Sequence, residues 1–325
     1  MTRARDALVL TSARDYGGAR PRKVSRFVLE ALDRPADHPG GVFRAAPVET
    51  IHRHAPPPDG QQALAGVLPA DQPLVLSFRQ VDDYETCPLK FKYTHILRVP
   101  LLRDHRVVYG SAVHEAVREY NRRKARAQAV TLEDLLRTFE RAWVNEGFIS
   151  REHEDQRLEE GRTVLRRFFE FQEAQGGRPT FVEAPFSFQV GATRVKGRWD
   201  RVDLRGGEPV IIDFKTSDVR QPREAHRRAR ESRQLAIYAL AYREVYSTLP
   251  ARLELHFLGP QGVLVGEVVP DEALVAEARA DIEHAAAGVR AGNFIATPDY
   301  YQACRFCAFN TICPYTATGD PPVEG

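Results

Sequence analysis

The sequence predicts an α/β domain: a small mixed central sheet, a large helical insertion ahead of it, and a cysteine-bearing C-terminal lobe folded back on the domain. Three observations carry that expectation. Apolar residues recur at helical spacing from about residue 78 to 175, the period changes to two at Phe181, and helical and strand patterns then alternate to about residue 291. Such alternation builds a sheet with helices packed against it.

A chain of 325 residues that is 43% hydrophobic can fill a real core. Its 46 Lys+Arg against 44 Asp+Glu leave a net charge of +2, which by itself neither requires nor excludes a nucleic-acid partner. No apolar run approaches the roughly 20 residues that span a bilayer, and the Arg-rich N-terminus lacks the apolar stretch of a secretory signal. A cytoplasmic protein without a membrane partner is expected. Four cysteines are too few for a disulfide scaffold of this size, and in a reducing compartment they point to metal ligation.

Residues 7–12 (ALVLTS) carry a short apolar strand pattern, followed by a basic glycine-containing loop at 16–23 and a brief helix around 25–32. Together these are too little for a core of their own. Residues 34–73 are rich in Pro, Gly, Gln and His, include Pro56-Pro57-Pro58, and read as a linker. The organisation expected is an N-terminal segment 1–46, a flexible linker 47–73, a main domain 74–317 and a tail 318–325. Ser77 caps a helix in which Phe78, Val81, Tyr84 and Cys87 recur at one-turn spacing, with Pro88 perturbing its end. Further helical patterns cover 111–124, 131–145 and 152–175. Strand patterns follow at 181–190, 193–204 and 209–216, separated by Gly-containing turns. One long helix at 224–246, strands at 252–258 and 263–268, and a last helix at 271–291 complete the domain.

Asp200 stands in GRWDRVD on one expected strand, and Asp213 and Lys215 stand in VIIDFKT on the next. Residues two apart on a strand share a face, so Asp213 and Lys215 project together, and a hairpin can bring Asp200 beside them. Hard divalent cations take carboxylate oxygens, activate water and neutralise charge on a scissile phosphate, while a lysine ammonium steadies the attacking water or the developing charge. An isolated D-x-K triplet is usually an ordinary ion pair. Here apolar Ile211 and Ile212 make an unligated Asp213 costly, Gln234 and Tyr238 lie four apart on the following helix, and His114 sits early on the helix opened by YGSAVHEAV. Asp203, the rival to Asp200, falls at an odd offset and hence on the opposite strand face.

In that order, His114, Asp200, Asp213-x-Lys215 and Gln234-x-x-x-Tyr238 resemble the RecB-like branch of the PD-(D/E)xK nuclease superfamily, over about residues 74–315. The resemblance implies a restriction-endonuclease-like fold and DNA cleavage with Mg²⁺ or Mn²⁺. It implies metal binding by His114, Asp200 and Asp213, and a catalytic role for Asp200, Asp213 and Lys215, with Gln234 and Tyr238 in support. Glu183, in VEAPF, matches a Glu that the family often carries on the preceding strand and joins the metal set. Some relatives keep the fold as non-catalytic DNA-end-binding modules, which is the main alternative; an RNA-directed nuclease is a third.

Cys304-x2-Cys307-x5-Cys313 closes the domain, with Cys87 far upstream. This three-plus-one spacing differs from the paired short hooks usual in structural zinc sites and resembles the [4Fe–4S] staple of AddB-type nucleases; zinc and unligated cysteines are the alternatives. Proline follows both Cys87 and Cys313, as at many cluster ligands.

The opening MTRARDALVLTSARDYGGARPRKVSRFVLEAL resembles the C-terminal end of a UvrD-like superfamily 1 helicase over about 35 residues, with Arg3 matching the arginine that reaches the ATP γ-phosphate there. No G-x-x-x-x-G-K-[ST] loop occurs in the chain, so ATP hydrolysis is not expected of it alone. The resemblance implies a truncated or split helicase–nuclease product whose motor acts in cis or in trans; a basic N-terminal arm is the alternative. Arg20, Arg22 and Lys23, with basic clusters at 118–126 and 220–233, favour phosphate contacts without base reading. The expected function is a single-strand DNA exonuclease working beside a helicase in repair and recombination.

Overall fold

The computed structural model describes residues 24–31, 72–101 and 104–317. Helix α1 is a short piece at Arg26–Ala31. The strand expected at 7–12, the loop with Arg20, Arg22 and Lys23, the linker up to residue 71 and the tail lie outside the described residues.

Six strands make one mixed sheet: β1 (Leu74–Ser77), β2 (Phe181–Val190), β3 (Thr193–Arg205), β4 (Glu208–Lys215), β5 (Arg252–Gly259) and β6 (Gly262–Val268). β2 runs antiparallel along most of β3 and occupies one of its edges. β1 and β4 therefore share the other edge, β1 parallel to residues 193–196 and β4 antiparallel to residues 201–205. Residues 197–200 of β3, ending at Asp200, fall in the gap between those two pairings. β5 continues the sheet parallel to β4, and β6 closes it antiparallel to β5. Gly206 and Gly207, at φ 63° and 89°, form the two-residue turn between β3 and β4. Two successive left-handed residues suit a tight hairpin and leave its register no slack.

The helices are α2 (Phe78–Thr86), α3 (Pro88–Phe91), α4 (His105–Ala125), α5 (Leu132–Ala142), α6 (Arg151–Gln175), α7 (Pro222–Arg230), α8 (Arg233–Tyr246) and α9 (Glu272–Arg290), with π-helical turns at Lys92–Ile96 and Tyr300–Cys304. They cover both sheet faces. α2, α7, α8 and α9 enclose one core with Trp199, Val202, Ile211, Leu255 and Phe257. α4, α5 and α6 enclose a second with Val210, Ile212, Phe214 and Leu258. β4 and β5 feed both cores by alternation, which is why they read as continuous apolar runs.

Several local signals act as expected and several do not. Ser77 caps α2 through a reciprocal box, its hydroxyl accepting the Gln80 N–H at 3.3 Å while its own N–H donates to Gln80 Oε1 at 2.9 Å. The single helix expected at 224–246 is two helices. Ser232 accepts the N–H of Leu235 and caps α8, and the apolar pattern that crosses the break hides it from a reading of spacing alone. The cap puts Gln234 in the first turn of α8. The helix of His114 starts at His105 rather than near Ser111, because Asp104 caps it by accepting the Arg106 N–H at 2.8 Å. Strand β1 is too short for alternation to reveal.

A buried polar network pins α4 and α6 to the sheet. Arg201 donates to both Asp203 oxygens at 2.7 and 2.8 Å, to Asn121 Oδ1 of α4 at 3.0 Å and to Gln172 Oε1 of α6 at 2.7 Å. Asp203 thus has a structural partner on the face away from α8. Beside it, Arg205 grips Glu254 through two bonds of 2.7 and 3.1 Å, and Glu254 Oε2 lies 2.8 Å from His256 Nε2.

Burial pushes the Glu254 carboxyl up, but the hydrogen bonds and charges of His256 and Arg205 outweigh it and hold the group at about 2. Burial also pushes His256 down, against the opposing hydrogen bond and charge of Glu254. A carboxylate held below its unfolded value of 4.5 stabilises the fold above that value and loses its contribution as pH falls toward about 2. Denaturant melts across this window should show the native chain losing on the order of 2 kcal/mol more than Glu254→Gln. Parallel pH profiles for the two proteins would contradict the assignment.

Candidate active site

The hairpin register brings the acidic residues together. The pair Arg201↔Ile212, run one residue further, sets Asp200 opposite Asp213, and Asp200 Oδ2 accepts the Phe214 N–H at 3.4 Å in place of a ladder carbonyl. Asp213 and Lys215 pair with Leu255 and Phe257 of β5 and share their face, while Phe214 enters the other core.

Lys215 Nζ lies 2.8 Å from Asp213 Oδ2 and donates to Gln234 Oε1 at 2.5 Å. Gln234 Nε2 donates to Asp213 Oδ1 at 2.6 Å and to Tyr238 Oη at 2.8 Å. An ammonium can only donate and a carboxylate can only accept, so the Gln234 amide fits between them in one orientation. Gln234 and Tyr238, four apart on α8, therefore line the site together, and both are buried with Asp213. Lys215 keeps 35% of its side chain exposed, so its ammonium sits where the site opens.

Glu183 lies across β3 from Asp200, since its neighbours Val182 and Ala184 pair with Arg201 and Trp199. Its φ of 54° is left-handed backbone inside a strand, which costs a residue with a Cβ about 1–2 kcal/mol. Strict alternation fails at this register: Trp199 and Val202, an odd three apart, join the same core. The separation of Asp203 from Asp200 therefore rests on its contacts with Arg201 rather than on parity. Arg198 lies 3.7 Å from the Glu183 carboxylate.

α4 supplies His114. One turn earlier, Gly110 runs so close to the end of β4 that a Cβ there would lie 3.3 Å from Thr216 Oγ1. Gly110, His114 and Asn121 share one helix face, and Asn121 is the residue that binds Arg201.

The charges of these groups act on one another. Burial, and then the charge of Asp213, pushes Asp200 up to about 8 against the opposing Phe214 N–H and Lys215. Burial pushes His114 down, with Asp213 and Glu183 opposing and Lys215 assisting. Tyr238 stands well above its ordinary value through burial and the charges of Asp213 and Asp200.

This cluster is short of positive charge. Asp213 Oδ2 is buried and, although in ion-pair contact with Lys215, accepts no well-angled hydrogen bond. A buried carboxylate oxygen in that state, beside a second carboxylate, is suited to a hard divalent cation, and a neutral imidazole such as that of His114 is a competent ligand. Among the described residues, no three His, Cys, Asp or Glu side chains already converge as a metal cage.

The cysteines gather elsewhere. All four are free thiols and line one small pocket with Tyr93, Phe309 and Tyr315. Burial pushes Cys307 and Cys313 up. The basic clusters differ from expectation, because many of their members are already paired: Arg123 with Asp134, Lys124 with Glu173, Arg220 with Asp218, Arg227 with Glu231 and Arg228 with Glu224. Such exposed pairs are weak and leave a smaller field than a count of arginines suggests. Arg233, the last member of the 220–233 cluster expected to meet phosphate, instead bridges Asp82 of α2 at 2.6 Å and Asp281 of α9 at 2.8 Å. No periodic signal marks such a long-range bridge.

Residues 75–314 match a family model described as the PD-(D/E)XK nuclease superfamily. Among solved structures, the chain is similar to SSO0001 at 13% identity and a TM-score of 0.39, over 84% of this chain and 96% of that one. It is also similar to a candidate exonuclease from Eubacterium rectale at 14% identity and a TM-score of 0.45, over 76% of this chain and 90% of that one. No curated protein matches the chain.

Crowding of Asp200 against Asp213 should be measurable as stability. Asp200→Asn keeps an acceptor for the Phe214 N–H and removes the repulsion, so in divalent-free buffer it should stabilise the fold by on the order of 1–3 kcal/mol. Added Mg²⁺ should raise the melting midpoint of the native chain more than that of the variant. A variant that is less stable without metal, or that gains as much from it, would contradict the reading.

Proposed function

This chain belongs to the PD-(D/E)XK nuclease superfamily, and from that membership we propose that it is a divalent-metal-dependent deoxyribonuclease acting on single-stranded DNA ends beside a superfamily 1 helicase motor. The observation that carries the reading is the Asp200–Asp213 juxtaposition with Lys215 2.8 Å from Asp213.

Asp200 and Asp213, with His114 and Glu183 at their margins, are the residues that would hold Mg²⁺ or Mn²⁺. Such an ion supplies a polarised water and neutralises phosphate charge. Lys215 has three N–H donors; Gln234 takes one and the ion-pair contact with Asp213 uses none in a well-angled bond, which leaves donors for a phosphate oxygen or the attacking water. Gln234 holds Asp213 and Lys215 at fixed separation, and Tyr238 holds Gln234. The helicase partnership draws its support from the resemblance of the first 35 or so residues.

The same reading assigns a [4Fe–4S] cluster to Cys87, Cys304, Cys307 and Cys313. Four free thiols around one pocket support it. Cys87 follows α2 near the start of the domain and the other three lie at its end, so a cluster closes a long loop, worth on the order of a few kcal/mol because the gain rises only with the logarithm of length.

With end-labelled single-stranded DNA and Mg²⁺ or Mn²⁺, the native chain should degrade substrate, and Asp213→Ala and Lys215→Ala should each lose on the order of a hundredfold or more in rate. Equal degradation by Asp213→Ala would remove the site assignment. Tight binding without cutting by the native chain would favour a DNA-end-binding module, and faster loss of labelled RNA would move the substrate class.

Anaerobically purified protein should be brown, with about four irons per chain, and Cys87→Ala should lose the colour and melt lower. A colourless, zinc-containing native sample would contradict the cluster.

A further inference from the structure

The last described segment holds to the domain through few side chains. Phe309 is buried and meets the Tyr93 ring at 5.2 Å, and Ala303 is buried as well. Tyr301 and Phe306, by contrast, are 75% and 74% exposed. Tyr300 meets Tyr301 edge-on at 5.1 Å, and the Arg305 guanidinium lies 5.1 Å from the centre of the Phe306 ring. Rings this exposed add little to the core, and two of them five residues apart on one lobe are open to association.

The chemistry of that surface selects its occupant. Among the described residues Arg305 makes no ion pair, so the flat Phe306 ring stands beside a cation without a counter-charge. Single-stranded DNA meets both features, because every base has a π-face to stack on a ring and every phosphate a charge for a guanidinium. The lobe is also held in one frame with the candidate site. Arg233, adjacent to Gln234, grips Asp82 at 2.6 Å, and Cys87, which lines the same pocket as Cys304 and Cys307, follows Asp82 by little more than a helical turn.

We propose that Tyr301, Arg305 and Phe306 form a stacking platform for the bases of single-stranded DNA, with Arg305 taking a neighbouring phosphate. This rests on the reading of the chain as a DNA nuclease, and it adds the surface that tells an unpaired strand from a duplex, whose bases offer no free faces.

Binding of a fluorescent thymidine oligonucleotide to the full chain in divalent-free buffer tests the platform apart from cleavage. Joint replacement Tyr301→Ala and Phe306→Ala should weaken binding about tenfold or more, while affinity for an abasic oligonucleotide of the same length changes by less than about twofold. Phe306→Trp alone keeps an aromatic ring, and its emission above that of Trp143 and Trp199 should be quenched by the thymidine oligonucleotide. Unchanged affinity in the double variant, equal loss on both oligonucleotides, or a Phe306→Trp signal unmoved by saturating DNA would each overturn the platform. Ring-dependent binding in a native chain that cuts nothing would leave the platform standing and remove the nuclease reading instead.

Discussion

The turn at Gly206 and Gly207 fixes which residues of β3 and β4 face each other, and it thereby sets two carboxylates, Asp200 and Asp213, against one another inside the protein. Like charges at that separation cannot both stay ionised in a partly buried place without compensation. Lys215 and the Gln234 amide supply part of it. What they leave open is a buried Asp213 oxygen without a good donor, the place the proposed cation would fill.

The opposite face of the sheet shows what full compensation looks like. Arg201, Asp203, Asn121 and Gln172 satisfy one another, as do Arg205 and Glu254, and that side holds α4 and α6 in place. A satisfied network of this kind rigidifies, whereas a half-satisfied one is unstable unless a ligand completes it. The two faces of β3 thus divide the work: one fixes the helix that carries His114, and the other presents the carboxylates. The left-handed backbone at Glu183, directly across from Asp200, is the local distortion at the point where the two requirements meet.

Much of this was legible in the sequence, because periodicity and spacing are local signals. The change of period at Phe181 gave the strands of the hairpins, D-x-K gave the shared face of Asp213 and Lys215, and the four-residue interval gave Gln234 and Tyr238 one side of α8. The rest depends on pairing at long range. Ser232 breaks a helix whose apolar pattern continues across the break. β1 is recognisable only by its partner β3. The left-handed Glu183 has no residue signature, since glycine is the usual tenant of that conformation. The basic clusters looked like open phosphate contacts because their acidic partners, such as Glu173 for Lys124, stand far off in the chain.

In the function proposed, one divalent ion binds between Asp200 and Asp213. Anomalous diffraction from crystals of the full chain soaked in Mn²⁺ tests it directly. A peak is expected within coordination distance, roughly 2.0–2.2 Å, of oxygens from both aspartates. A peak that avoids either carboxylate, or its absence with the two aspartates facing apart, would contradict it.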